Sequence, residues 1–78
     1  MTTDALRWGL TATGQLDAVR LIKQRSDLSA HIVFVLMQRI DEGCTSDDLE
    51  RITGRRTTVL RPLLRQLVHE GVIEEYVI

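Results

Sequence analysis

The run Ile32-Val-Phe-Val-Leu-Met37 is the longest unbroken apolar stretch in the chain, and it constrains the fold more than any other feature. Six residues fall far short of the ~20 that a membrane-spanning helix needs, so the rest of the protein must bury them. β-Branched and aromatic residues suit a strand. The apolar pattern nevertheless continues to Ile40, and Gly43 stands where a residue just past a helix end would stand. The segment therefore predicts a helix capped by Asp27 or Ser29 and running to Glu42. A helix that is apolar round most of its circumference must be covered on several sides, which makes this one the expected centre of the core. A chain of 78 residues has material for one such core, burying only somewhat more than ~60% of its unfolded surface.

Glycines at 9, 14, 43, 54 and 71 punctuate the remainder. Residues 4–9 read as a short helical turn or an ordered arm. Thr13 is the expected cap of a helix over 15–25, with Leu16, Val19 and Ile22 on one stripe and Asp17, Arg20 and Lys23 opposite. Thr45 or Ser46 should cap a third helix, because Asp47, Asp48 and Glu50 fall where acids favour a helix start and Thr45-x-x-Asp48 has capping-box spacing. Leu49 and Ile52 give that helix its apolar contacts, and Gly54 ends it. A fourth helix runs from Thr57 or Thr58 to Glu70, with Val59, Leu60, Leu63, Leu64, Leu67 and Val68 in rows. Residues 72–77 are β-prone and close the chain as a strand.

Several chemistries are disfavoured. One cysteine excludes a disulfide within the chain, and with two histidines it cannot complete a four-ligand zinc site. His31 and His69 read as surface residues and Cys44 as a small apolar one; no metal and no cofactor is expected. Asp47 and Asp48 are adjacent, so they point to different sides of a helix and cannot form an acid/base pair. Ser26, Ser29 and Ser46 lack a nucleophile-elbow context, and there is no phosphate-binding glycine loop. An enzyme is not expected. Without a cationic, apolar leader, the expectation is a soluble cytoplasmic protein with no membrane partner.

Two short helices joined by a tight glycine-containing turn suggest a helix-turn-helix. Here Leu49 and Ile52 precede Gly54; Val59, Leu63 and Leu67 follow, and then Glu70-Gly71-Val72-Ile73. Over residues 30–77 this pattern resembles the winged helix-turn-helix superfamily, of the small prokaryotic or phage transcription-regulator type. The resemblance implies a mainly α fold of about four helices with a short C-terminal strand or minimal wing. It divides the chain into an N-terminal arm and helix, 1–26, for packing or dimerisation, and a winged helix-turn-helix domain, 27–78. It also implies that 43–45 form a short strand paired with 72–76.

In that family the helix at 57–70 enters the major groove. The resemblance thereby implies a sequence-specific DNA-binding protein, a transcriptional regulator, with double-stranded DNA as partner and a homodimer as the assembly. At ~100° per residue, Thr57, Thr58, Arg61, Pro62, Arg65 and His69 share an arc, with Arg55 and Arg56 in the turn before it. Arginine matches guanine edges and phosphates, and threonine hydroxyls reach either. Arg55, Arg56 and Arg65 are the expected phosphate clamps; Thr58, Arg61 and Arg65 are the base-edge candidates, with Thr57 beside them. Charge is polarised to match. Residues 51–69 hold five arginines and no acid, whereas the other 59 residues hold five basic and eleven acidic groups, so the net charge of −1 hides a basic face.

Two features depart from the pattern. Pro62 lies inside the recognition helix, where it deletes one backbone bond. A complete wing needs two strands after that helix, and one is present, leaving an edge open unless another chain covers it. Trp8 and Tyr76 are the interface candidates. The alternative these departures favour is a winged-helix protein–protein interaction module, an adaptor or a phage- or plasmid-encoded inhibitor.

Overall fold

The computed structural model describes residues 6–25 and 27–77. Its elements, in chain order, are β1 (Leu6–Leu10), α1 (Ala12–Gln24), α2 (Leu28–Gln38), α3 (Ser46–Thr53), α4 (Thr57–His69) and β2 (Ile73–Val77). The described residues are mainly helical, with four helices and a small antiparallel sheet. Asp4, Ala5 and Ser26, considered above, lie outside the described residues.

α2 is the central element that its composition predicts. Ile32, Val33 and Leu36 have no exposed surface, and the cap is Asp27, whose carboxylate accepts from the Ser29 N–H. The helix stops at Gln38, four residues before the expected Glu42. At Arg39 the backbone leaves the helical region (φ −122°, ψ 43°), and its N–H reaches back to the Leu36 carbonyl. A turn then leads to Gly43, whose φ of +70° suits glycine. A Cβ there would lie 2.8 Å from the Trp8 carbonyl oxygen, so the glycine also allows the close approach of the first strand.

That strand is β1, and it replaces the helical turn or arm expected at 4–9. β1 pairs with β2 over Leu6↔Val77 to Leu10↔Ile73. On its other side Trp8 exchanges both backbone hydrogen bonds with Cys44, at 2.8 and 2.9 Å. The expected pairing of 43–45 with 72–76 therefore does not occur, because β1 lies between them. Only one edge of β2 is taken by β1.

α1 starts earlier than expected and presents the opposite face. Thr11, not Thr13, is the cap: its hydroxyl oxygen accepts from the Gly14 N–H and donates to the Gly71 carbonyl at 2.6 Å, while its N–H bonds the Val72 carbonyl. The buried residues are Gly14, Ala18 and Leu21. Leu16 is 86% exposed and Val19 57%, and of the expected stripe only Ile22 packs against the core. The reason lies at Gly14, where a Cβ would stand 1.9 Å from the Val72 carbonyl oxygen. Small residues let the helix seat on the backbone entering β2, and that contact outweighs the burial of two larger side chains.

α3 and α4 follow the sequence closely. Thr45 and Asp48 form the reciprocal capping box, and Gly54 ends α3 with φ +71°. α4 buries Leu60, Leu64 and Leu67, with Leu63 packed against the same core. Trp8, Leu10, Ala18 and Leu21 join that core, so the described part of residues 1–26 is built into one unit with the rest. Pro62 lies within α4 on an exposed position, and the Thr58 carbonyl loses its usual N–H partner to solvent there.

Candidate nucleic-acid interface

α4 has no side-chain cap of its own, since Arg56 at its N-cap makes no such bond. The carboxylate of Glu50 on α3 takes that place. It accepts from the Thr57 N–H at 2.6 Å and from the Thr57 hydroxyl. A negative charge at a helix start is favourable with respect to the dipole. The two Thr57 bonds hold the Glu50 carboxyl below its usual range, helped by the nearby Arg56 guanidinium. The consequence is a charged tie between α3 and α4 across a three-residue turn, added to the packing of Leu49 with Leu60 and Leu64 in the common core.

This tie changes the expected site. Thr57 is half-buried and its hydroxyl proton is donated to Glu50, so it has no donor left for a phosphate or a base acceptor. The other candidates stand clear. Thr58, Arg61, Pro62, Arg65, Gln66 and His69 line one shallow depression of about 630 Å³ on the outward side of α4. Arg55 and Arg56 are exposed in the turn that leads into it. Among the described residues, Arg51 pairs with Asp48 at 2.8 Å, while Arg55, Arg56, Arg61 and Arg65 form no ion pair. Four unpaired guanidinium groups thus share the turn and one helix face, with Leu60, Leu64 and Leu67 of the same helix buried behind them and Val59 and Val68 of the expected rows exposed.

The two interface candidates do not project outward as expected. Trp8 is 8% exposed and belongs to the core, because it sits on the central strand between β2 and Cys44. Tyr76 is half-buried, with its hydroxyl donating to the Glu42 carbonyl at 3.1 Å. Arg7 donates to the same carbonyl at 3.2 Å. Together they fasten the turn after α2 to the outer face of the sheet.

A second concavity had no counterpart in the sequence reading. A groove of about 500 Å³ runs between α4 and the sheet, and Arg61 and Arg65 line it as well as the outward depression. Leu6, Trp8 and Glu75 form its opposite wall. The alternation Leu6-x-Trp8-x-Leu10 was the one signal for that wall, and three positions are too few to separate a strand from an arm.

No protein-family model, curated protein or solved structure matches this chain. The site must be read from its own chemistry. Among the described residues no group of three or more His, Cys, Asp or Glu side chains could hold a metal ion, and no helix is long and apolar enough to cross a membrane. Cys44 is fully buried, and burial pushes its thiol up from the ordinary value, which removes the thiolate that nucleophilic or redox chemistry would need.

Proposed function

We propose that this chain is a DNA-binding protein of the winged helix-turn-helix type, a transcriptional regulator that inserts α4 into the major groove. The observation that carries the proposal is the set of four unpaired arginines, Arg55, Arg56, Arg61 and Arg65, on and just before the exposed face of α4. They sit on a body that is otherwise net acidic, so an anionic partner would be drawn to this face. Arg55 and Arg56 serve as phosphate clamps at the helix start. Thr58, Arg61 and Arg65 present hydroxyl and guanidinium groups to base edges. Thr57 is withdrawn from that set and acts instead through the Glu50 tie between α3 and α4.

The strand arrangement supports the same reading. The residues after α4 supply one wing strand, β2. β1, from the other end of the chain, lies between Cys44 and β2 and supplies the second. The wing is then built from both ends of the chain and has no hairpin. A homodimer reading two half-sites is part of the proposal, as one α4 covers too few base pairs for high specificity.

Fluorescence anisotropy on a labelled duplex tests the assignment. Arg61→Ala should cost ~1–3 kcal/mol, about five- to 150-fold in affinity, and relax preference at one position. Arg65→Ala should weaken binding similarly. Arg20→Ala, which removes the same charge from α1 where it pairs with Asp17, should change little. Equal affinities for all four proteins would remove the basis for the assignment.

A further inference from the structure

We propose that the groove between α4 and the sheet binds a small monocarboxylate with an apolar body. Its volume of about 500 Å³ lies within the usual range for small-molecule sites, about 300–1,000 Å³. Arg61 and Arg65, one helical turn apart, line one wall, and each guanidinium is a planar fork that matches a carboxylate with two parallel hydrogen bonds. Neither is paired within the chain among the described residues. The apolar side of the groove comes from Leu6, Trp8 and Val68. Leu6 is 37% exposed and Val68 40%, so both offer surface that an apolar ligand body would cover.

One further observation narrows the ligand, and Trp8 provides a reporter for it. Trp8 is more than nine-tenths buried and borders the groove, while its Nε1–H is enclosed and has no acceptor among the described residues, so the indole senses a bound molecule as a neighbour and does not bond it. Glu75 stands opposite Trp8 in the strand register and lines the same groove, yet forms no ion pair with either arginine. Two cations and one carboxylate therefore border one space without closing on each other. Arg61, Arg65 and Glu75 together give the groove one net positive charge. That balance suits a monoanion, and Glu75 repels a second negative charge, so a phosphate dianion is selected against. The same two arginines serve the proposed DNA face, so ligand and duplex compete for them. This competition rests on the DNA-binding reading; the binding of the carboxylate does not.

Trp8 is the only tryptophan in the chain, so its indole N–H gives a single resonance in a ¹⁵N–¹H spectrum of the labelled full-length protein. Benzoate is the probe, with benzyl alcohol as the neutral match and inorganic phosphate as the dianion, all at constant ionic strength. The expected result is a saturable shift of the indole resonance with benzoate, and binding of the other two at least about tenfold weaker. Arg61→Ala should weaken benzoate about tenfold or more, the loss expected for one charge-assisted contact. Glu75→Gln should bring phosphate to within a few-fold of benzoate. The proposal is overturned by the absence of a saturable shift up to roughly ten millimolar, where even a weak millimolar site would fill. It is equally overturned if phosphate or benzyl alcohol binds as well as benzoate, or if Arg61→Ala binds as the parent does. In a second arm, benzoate should release a labelled duplex from the parent protein. Simultaneous binding of both overturns the shared use of the arginines. Benzoate binding without any duplex binding supports the groove and refutes the DNA reading alone.

Discussion

Replacing Gly14 by alanine reverses the usual rule for a helix. In an exposed helix interior the change should stabilise by roughly 1 kcal/mol, since glycine is the poorer helix former. Here the new Cβ would stand 1.9 Å from the Val72 carbonyl oxygen, so α1 must retreat by about 1.5 Å to restore ordinary contact. Crowding of this kind costs ~1–3 kcal/mol. The retreat also strains the two bonds by which Thr11 holds the chain entering β2, to the Val72 carbonyl at 3.0 Å and the Gly71 carbonyl at 2.6 Å, at ~1 kcal/mol each. Subtracting the propensity gain leaves a net loss of about 2–4 kcal/mol. For a domain of this size, that lowers Tm by roughly 10–30 °C. Calorimetry or thermal circular dichroism reads the shift directly. Leu16→Ala is the companion: at 86% exposure it should change stability by no more than ~0.5 kcal/mol. A Gly14→Ala protein as stable as the parent or more so, together with a Leu16→Ala loss above ~2 kcal/mol, would refute the described seating of α1.

Trp8→Ala should cost ~3–5 kcal/mol in urea denaturation, because the indole fills the core; an unchanged midpoint would place it on the surface. Cys44 should resist a thiol reagent at neutral pH in the native protein and react rapidly in denaturant, because burial raises its pKa and excludes the reagent; fast reaction in the native state would contradict that burial. Stability should fall on acidification below about pH 4.5. Asp48 is held below its usual value chiefly by the Thr45 backbone N–H, Asp27 by its bond with Ser29, Glu50 by Thr57 and Glu70 by Gln66. Groups with lowered folded-state pKa values contribute stability above the unfolded pKa and lose it as pH falls through the folded one. Asp48→Asn should flatten the acid limb of the profile, and an unchanged limb would argue against the capping box.

The elements made of local signals were legible in the sequence. The Thr45–Asp48 box, the glycine stop at 54, the leucine rows of α4 and the buried face of α2 all depend on residues a few positions apart and appear as expected, although Phe34 and Ile40 of the expected buried run are exposed. The failures involve partners distant in the chain. β1 is a strand because it pairs with residues 73–77 and with Cys44, and the three alternating apolar residues within 6–10 are too few to announce that. α1 turns its larger apolar residues outward because Gly14 meets the Val72 backbone, a contact with no trace in the helix's own periodicity. Of the site, the arginines were visible as a charge cluster. The loss of Thr57 to Glu50 was not, because it depends on the angle between two helices. The groove was invisible too, since one of its walls joins residues from the two ends of the chain.

The exposed arginines of the α3–α4 unit are proposed to hold a DNA duplex. Affinity for a labelled duplex, measured at 50 and 200 mM salt, tests it most directly. If Arg55, Arg56, Arg61 and Arg65 each neutralise about one phosphate, the logarithmic salt slope should be near −3.6, and affinity should fall roughly a hundredfold across that interval. Absence of duplex binding at the lower salt, or an affinity that barely responds to the increase, would contradict the claim.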